Sequence, residues 1–185
     1  MKKRVFIIHG WGGGPEGACL PWLKNELEKI GYEVVAPQMP NTDEPAVEEW
    51  INHISEIVGT PDEETYFVGH SIGCQAIMRY LQTMDHKIGG AVFIAGWFVL
   101  ENLEPEEIEI AAPWTQNNID FEKLRKISQN YAEIISDNDP FGGFKENKKI
   151  FSEKLGAKII VLNNAGHIEN AELPVALEEL IRIAK

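Results

Sequence analysis

The residues Gly69-His70-Ser71-Ile72-Gly73 place a serine midway between two glycines. They follow the apolar run Thr65–Val68 and open the helical stretch Cys74–Leu81, so Gly-x-Ser-x-Gly stands in a strand–turn–helix setting. A serine on so tight a turn has strained backbone angles, and side chains two positions to either side would crowd it. Glycine relieves that crowding. The helix beyond points free N–H groups and the positive end of its dipole at the hydroxyl. With five serines and 16 glycines in the chain, about 0.04 copies of the pentapeptide are expected by chance before its setting is required. Ser71 is therefore a candidate nucleophile. The plainer reading is a glycine-flanked turn with Ser71 as an N-cap.

A nucleophilic serine needs donors for the oxyanion it creates. His9-Gly10-Trp11-Gly12-Gly13-Gly14 follows the first apolar run, and a glycine-rich turn at a strand end leaves backbone N–H groups free to face a ligand. The predicted pair is the N–H of Ile72, directly after the nucleophile, with that of Trp11 or its neighbour. A phosphate cradle fits less well. The chain has no Gly-x-x-x-x-Gly-Lys-Ser/Thr, Pro15 replaces the third glycine of a dinucleotide fingerprint, and Ala36-Pro37-Gln38 ends the second strand without an acid. His9 reads as a structural hydrogen bonder for this loop.

The hydroxyl also needs a base, usually histidine held by a carboxylate. Of five histidines, His53 lies beside a helical apolar stripe, His86 in a polar turn, and His70 on the strand–turn itself. His167, in Asn164-Ala165-Gly166-His167 between the last strand and the last helix, is the predicted base. The acid is expected in Ser136-Asp137-Asn138-Asp139-Pro140. Asp137 and Asp139 both qualify, either could be a plain turn residue, and the residues alone do not choose.

These groups must be carried on a scaffold. Val5–Ile8, Glu33–Ala36, Thr65–Gly69, Gly90–Ala95, Tyr131–Ser136 and Lys158–Leu162 read as strands, mostly continuous apolar runs suited to a parallel sheet covered on both faces. Helical patterns alternate with them. Val47, Trp50, Ile51, Ile54, Ile57 and Val58 form one stripe, and Leu173, Leu177, Leu180 and Ile181 another. Such alternation predicts an α/β fold with right-handed crossovers. Residues 97–127, acidic and interrupted by Pro105 and Pro113, break the rhythm and are read as a small cap or a surface excursion. Trp97 and Trp114 are candidate walls of an acyl pocket, or simply core.

The 185 residues fit one domain spanning 1–185. Seventeen basic against 29 acidic residues give a net charge of −12, which argues against nucleic-acid partners and strongly anionic substrates. Lys2-Lys3-Arg4 precede only four apolar residues, short of the roughly 7–15 of a signal sequence. No stretch reaches the ~20 apolar residues of a membrane span. Cys19 and Cys74 suggest neither a disulfide framework nor a metal site. A cytoplasmic protein without cofactor or metal is expected.

Across its whole length the chain resembles the α/β-hydrolase superfamily. The order His-Gly-x-Gly-Gly, Gly-His-Ser-x-Gly, Ser-x-Asn-Asp-Pro and Gly-His is similar to that of the YdeN-like small serine hydrolases, a group that includes retinoblastoma-binding protein nine. The resemblance implies a three-layer αβα sandwich, a minimal form of the fold with about six parallel strands ordered 2-1-3-4-5-6 and a short insertion. It implies a triad of Ser71, His167 and Asp139, the aspartate before Pro140, with the chain order of that superfamily. The implied activity is hydrolysis of a small ester, thioester or amide through an acyl-enzyme. Two alternatives keep the fold: an inactive protein-binding module, and an acyltransferase or lyase. Gly142-Gly143 and residues 96–127 match no motif of the group.

Overall fold

The computed structural model describes residues 2–116 and 118–185. Six strands, β1 (Arg4–Ile8), β2 (Glu33–Val35), β3 (Thr65–His70), β4 (Gly90–Ile94), β5 (Tyr131–Ser136) and β6 (Lys158–Leu162), form one sheet in the order β2-β1-β3-β4-β5-β6. Every neighbouring pair is parallel. The helices are α1 (Leu20–Lys29), α2 (Val47–Val58), α3 (Ile72–Leu81), α4 (Pro105–Gln116), α5 (Phe121–Ile127), α6 (Phe144–Lys149), which runs on as a wider π turn over Ile150–Leu155, and α7 (Pro174–Ile183). The expected α/β architecture and strand order are present.

Alternation along each strand divides the core in two. Val5, Ile7, Val68, Val92 and Ile94 face α1 and α7, where Leu20, Leu23, Leu27 and Leu180 close the layer. Phe6, Ile8, Phe67 and Phe93 face α2 and α3 through Trp50, Ile54 and Ile77. Both faces are covered, which is why β3, β4 and β5 are wholly buried.

Several boundaries shift for local reasons. β1 starts at Arg4 because that residue pairs with Glu33 and Thr65 while its guanidinium donates to Val58 O, Thr60 O and Thr65 Oγ1. β3 runs through His70, since the ladder to β4 continues as His70↔Ile94. β2 and β4 each end one residue before the predicted limit. Residues 97–127 contain α4 and α5. Among the described residues no helix is long and apolar enough to cross a membrane.

Parallel strands bring their carboxyl ends to one edge of the sheet, and the turn after β3 depends on close backbone approach there. A Cβ at Gly73 would lie 2.3 Å from the carbonyl oxygen of Ile8, and one at Gly69 would lie 2.8 Å from the backbone nitrogen of Cys74. Neither neighbour is a side chain that could swing aside. Gly73→Ala is expected to cost about 3 kcal/mol or more through overpacking, seen as a Tm about 6–12 °C lower in a thermal melt followed by circular dichroism.

Candidate active site

Ser71 stands between β3 and α3 with φ 54 and ψ −122. Few non-glycine residues adopt positive φ, and the conformation persists only where the surroundings enforce it. Here its N–H donates to Ile94 O at 2.9 Å, and its carbonyl accepts the N–H of Cys74 at 3.0 Å. Its side chain makes no capping bond to α3, unlike an ordinary N-cap serine. The hydroxyl opens into a cavity of about 370 Å³ shared with His167.

The opposing loop is pinned from several directions. The buried ring of His9 receives the N–H of Met39 at Nε2, 3.0 Å, so Nδ1 carries the proton and donates to Gly10 O at 2.8 Å. Burial lowers the pKa of His9, keeping it in that neutral form. The Trp11 indole donates to Asp43 O at 2.8 Å. Gly12 N–H is used by Thr42 O and Gly13 N–H by Gly10 O, so neither is free as an oxyanion donor, and the N–H of Trp11 stays a candidate. Ile72 is the first residue of α3, where no preceding turn receives the N–H. Trp11, Ile72 and Ser71 line one and the same cavity of about 280 Å³.

His167 Nδ1–H donates to Asp139 Oδ2 at 2.8 Å, leaving Nε2 as the acceptor nitrogen. Asp139 also accepts the N–H of Phe141 on Oδ1, and the Phe141 ring meets His167 edge-on at 4.8 Å. Asp137, the other candidate acid, does something different. Its Oδ1 accepts the N–H of Asn164 at 2.8 Å in the loop that carries His167. Asn138 Oδ1 takes Gly166 N–H and Ser136 Oγ takes Ala165 N–H. The last residue of β5 and the two that follow it thus stitch the loop after β6 to the sheet edge. Sequence reasoning gave Ser136 and Asn138 no role, because turn residues look alike before their partners are known.

His70, set aside above as a residue of the strand–turn, fixes the same loop from below. Its Nε2–H donates to His167 O at 3.2 Å, and the two rings are 5.3 Å apart. Burial first, and the neighbouring His167 second, push the pKa of His70 down to about 4.

The segment after β4 is held as firmly. Gly96 N–H donates to Glu133 Oε1 at 2.9 Å, Gln75 donates to Trp97 O, and Asn147 Oδ1 accepts the N–H groups of Phe98 and Val99. Glu133 is fully buried in β5. Burial pushes its carboxyl well above the usual range, helped by the charge of Asp139. The result places Trp97 in the wall of the 280 Å³ cavity. Trp114 corrects the pairing made from sequence. Only 1% exposed, it packs edge-on against Trp50, donates its indole N–H to Pro45 O, and lies under the guanidinium of Arg79. It lines neither cavity at Ser71, because α4 turns that face into the core. Leu100, Leu103 and Phe141 stand there beside Trp97 instead. No group of three or more metal-ligating side chains occurs among the described residues.

Buried His70 and Glu133 titrate with opposite effects on stability. His70 is neutral when folded but gains a proton near pH 6.5 when unfolded, so its contribution is present above that pH and lost as pH falls toward 4. The total is on the order of 3 kcal/mol. Glu133 stays protonated when folded, so its contribution is present below pH 4.5 and lost as pH rises above it. Urea unfolding between pH 4.5 and 8 should therefore show His70→Gln losing the acid-side decline. Glu133→Gln should gain on wild type with increasing pH.

A serine hydrolase family model matches residues 5–181. The chain is 29% identical to YdeN of Bacillus subtilis (strain 168) over 97% of its length and 95% of that protein. It is 28% identical to the serine hydrolase RBBP9 of Rattus norvegicus, over 98% and 94% of the two chains. The crystal structure of the ydeN gene product from B. subtilis superposes with a TM-score of 0.90 at 28% identity, covering 98% of both chains. Est1E from Butyrivibrio proteoclasticus, at 16% identity and a TM-score of 0.76 over 100% of this chain and 89% of its own, shares the fold.

Proposed function

The chain belongs to the serine hydrolase family, and from that premise we propose that Ser71, His167 and Asp139 form a catalytic triad that hydrolyses a small ester, thioester or amide through an acyl-enzyme. The observation that carries this reading is the 2.8 Å bond from His167 Nδ1 to Asp139 Oδ2, with Ser71 and His167 lining the same cavity. Ser71 Oγ attacks the carbonyl carbon as His167 Nε2 takes its proton. The tetrahedral oxyanion lies against the N–H groups of Ile72 and Trp11. Collapse expels the leaving group, which receives the proton from His167. Water, deprotonated by the same nitrogen, then attacks the acyl-serine; acid is released and Ser71 Oγ recovers its proton. Asp139 holds the proton on Nδ1 and stabilises the imidazolium that forms. Trp97, Leu100, Leu103 and Phe141 form the wall for the acyl group.

Intact mass after incubation with a fluorophosphonate tests the nucleophile. One adduct on the wild type and none on Ser71→Ala is expected, and no adduct on folded wild type would sink the reading. Asp139→Asn should lower kcat on p-nitrophenyl butyrate by roughly 10³–10⁴, since the amide favours the wrong tautomer. Asp137→Asn, which keeps an oxygen for Asn164 N–H, should stay near wild type. Equal losses in the two variants would reject the assignment of the acid.

A further inference from the structure

The cavities of about 370 and 280 Å³ meet at Ser71 and are chemically unlike. We propose that they sort the two halves of the substrate: a small apolar acyl group enters the chamber of Ile72, Trp97, Leu100, Leu103 and Phe141, while a leaving group bearing a hydrogen-bond donor, and no anionic group, lies against Nδ1 of His70 in the other. This inference rests on Ser71 being the nucleophile.

The first chamber is walled mainly by apolar side chains, with Glu107 and Glu169 also lining it, and its volume limits it to a small group. The second is lined by four glycines of the loop after β1 and by the imidazoles of His9, His70 and His167. Both nitrogens of His9 are already bonded, to Gly10 O and to Met39 N–H. His70 differs. Nε2 must carry a proton because its partner, His167 O, can only accept. That leaves Nδ1 with a lone pair to which no described group donates; the second backbone group acting on the ring, at Ile168, raises its pKa as an accepting carbonyl does and so cannot donate to it. His70 is only 6% exposed, so the nitrogen has little other access to water. A Cβ on Gly10 would lie 3.1 Å from it, and Gly10 lines this chamber. The missing side chain at Gly10 keeps the acceptor open to an occupant. The depressed pKa of His70 keeps that lone pair free at neutral pH.

Charge narrows the leaving group further. Glu169 lines both chambers and Glu107 the apolar one, and no lysine or arginine is among the described residues lining either. An anion would meet a carboxylate and an acceptor lone pair with no cation to balance them. A hydroxyl or ammonium group satisfies Nδ1. An ether of the same shape leaves it unpaired.

The experiment compares kcat/KM of the full chain at neutral pH on 2-hydroxyethyl butyrate, 2-methoxyethyl butyrate and carboxymethyl butyrate, with p-nitrophenyl butyrate as reference. The hydroxyethyl ester is expected to exceed the methoxyethyl ester by about tenfold, the worth of one hydrogen bond, and the carboxymethyl ester is expected to be slowest. His70→Gln can still donate to His167 O through its amide N–H, while its one acceptor, Oε1, lies a bond further from the backbone than Nδ1 did, so its hydroxyethyl-to-methoxyethyl ratio should fall toward one whatever its absolute rate. Gly10→Ala, which covers the same nitrogen with a methyl group, should do likewise and serves if His70→Gln does not fold. Glu169→Gln should raise the carboxymethyl ester relative to the hydroxyethyl ester by about threefold. Wild type turning over p-nitrophenyl butyrate while treating the hydroxyethyl and methoxyethyl esters alike, or ratios unmoved in both His70→Gln and Gly10→Ala, would overturn the inference and leave the Ser71 reading standing. No turnover of any ester and no fluorophosphonate adduct would remove the reading beneath it.

Discussion

The first turn of α3 lies against the end of β1 so closely that a single methyl group at Gly73 would sit 2.3 Å from Ile8 O. Much of the site follows from that contact. It brings the start of α3 beside the loop that leaves β1, so the N–H groups of Ile72 and Trp11 can serve one cavity. It also enforces the positive φ of Ser71, because the chain must turn from β3 into α3 without moving away from β1. The strain is carried by backbone bonds to Ile94 and Cys74, in a wholly buried strand and helix that have no room to relax.

Precision at the base arises differently. His167 sits on a loop beyond a strand that is itself half-exposed, and a histidine there would wander without support. Side chains of Ser136, Asp137 and Asn138 take three backbone N–H groups of that loop, Asp139 takes the imidazole, and His70 takes the carbonyl of His167. Neighbouring parallel strands end together, so the loop after β5 is the nearest rigid structure available to the loop after β6. Burial adds a constraint of charge: His70 must stay neutral to leave room for the imidazolium that forms on His167 during the proposed reaction.

The segment after β4 supplies the apolar side of the site. It is fixed by a buried neutral carboxyl at Glu133 and by Gln75 and Asn147, residues whose polarity looks out of place in a strand and two helices until the turn they hold is seen. Anchoring Gly96 to Val99 in this way holds Trp97 at the cavity wall. Trp114, seventeen residues later, instead locks α4 to the core.

By itself the sequence determined what is local or periodic. Apolar runs and helical stripes specified the strands, the helices and their alternation, and with it a parallel sheet whose strand ends share one edge. The glycine spacing around Ser71 marked the tight turn, since no other residue leaves the backbone room there. Fold order and the preference for Asp139 over Asp137 came from resemblance, because both aspartates suit a turn equally well. Tertiary structure decided everything that depends on partners distant in the chain: Asp139 against His167 and Asp137 against Asn164, His70 as the support of a loop 97 residues away, Trp97 in the cavity and Trp114 in the core. A hydrogen-bonding side chain carries no record of its long-range partner in its own neighbourhood, and an indole is apolar enough for either place. Only the direction each element faces after packing tells them apart.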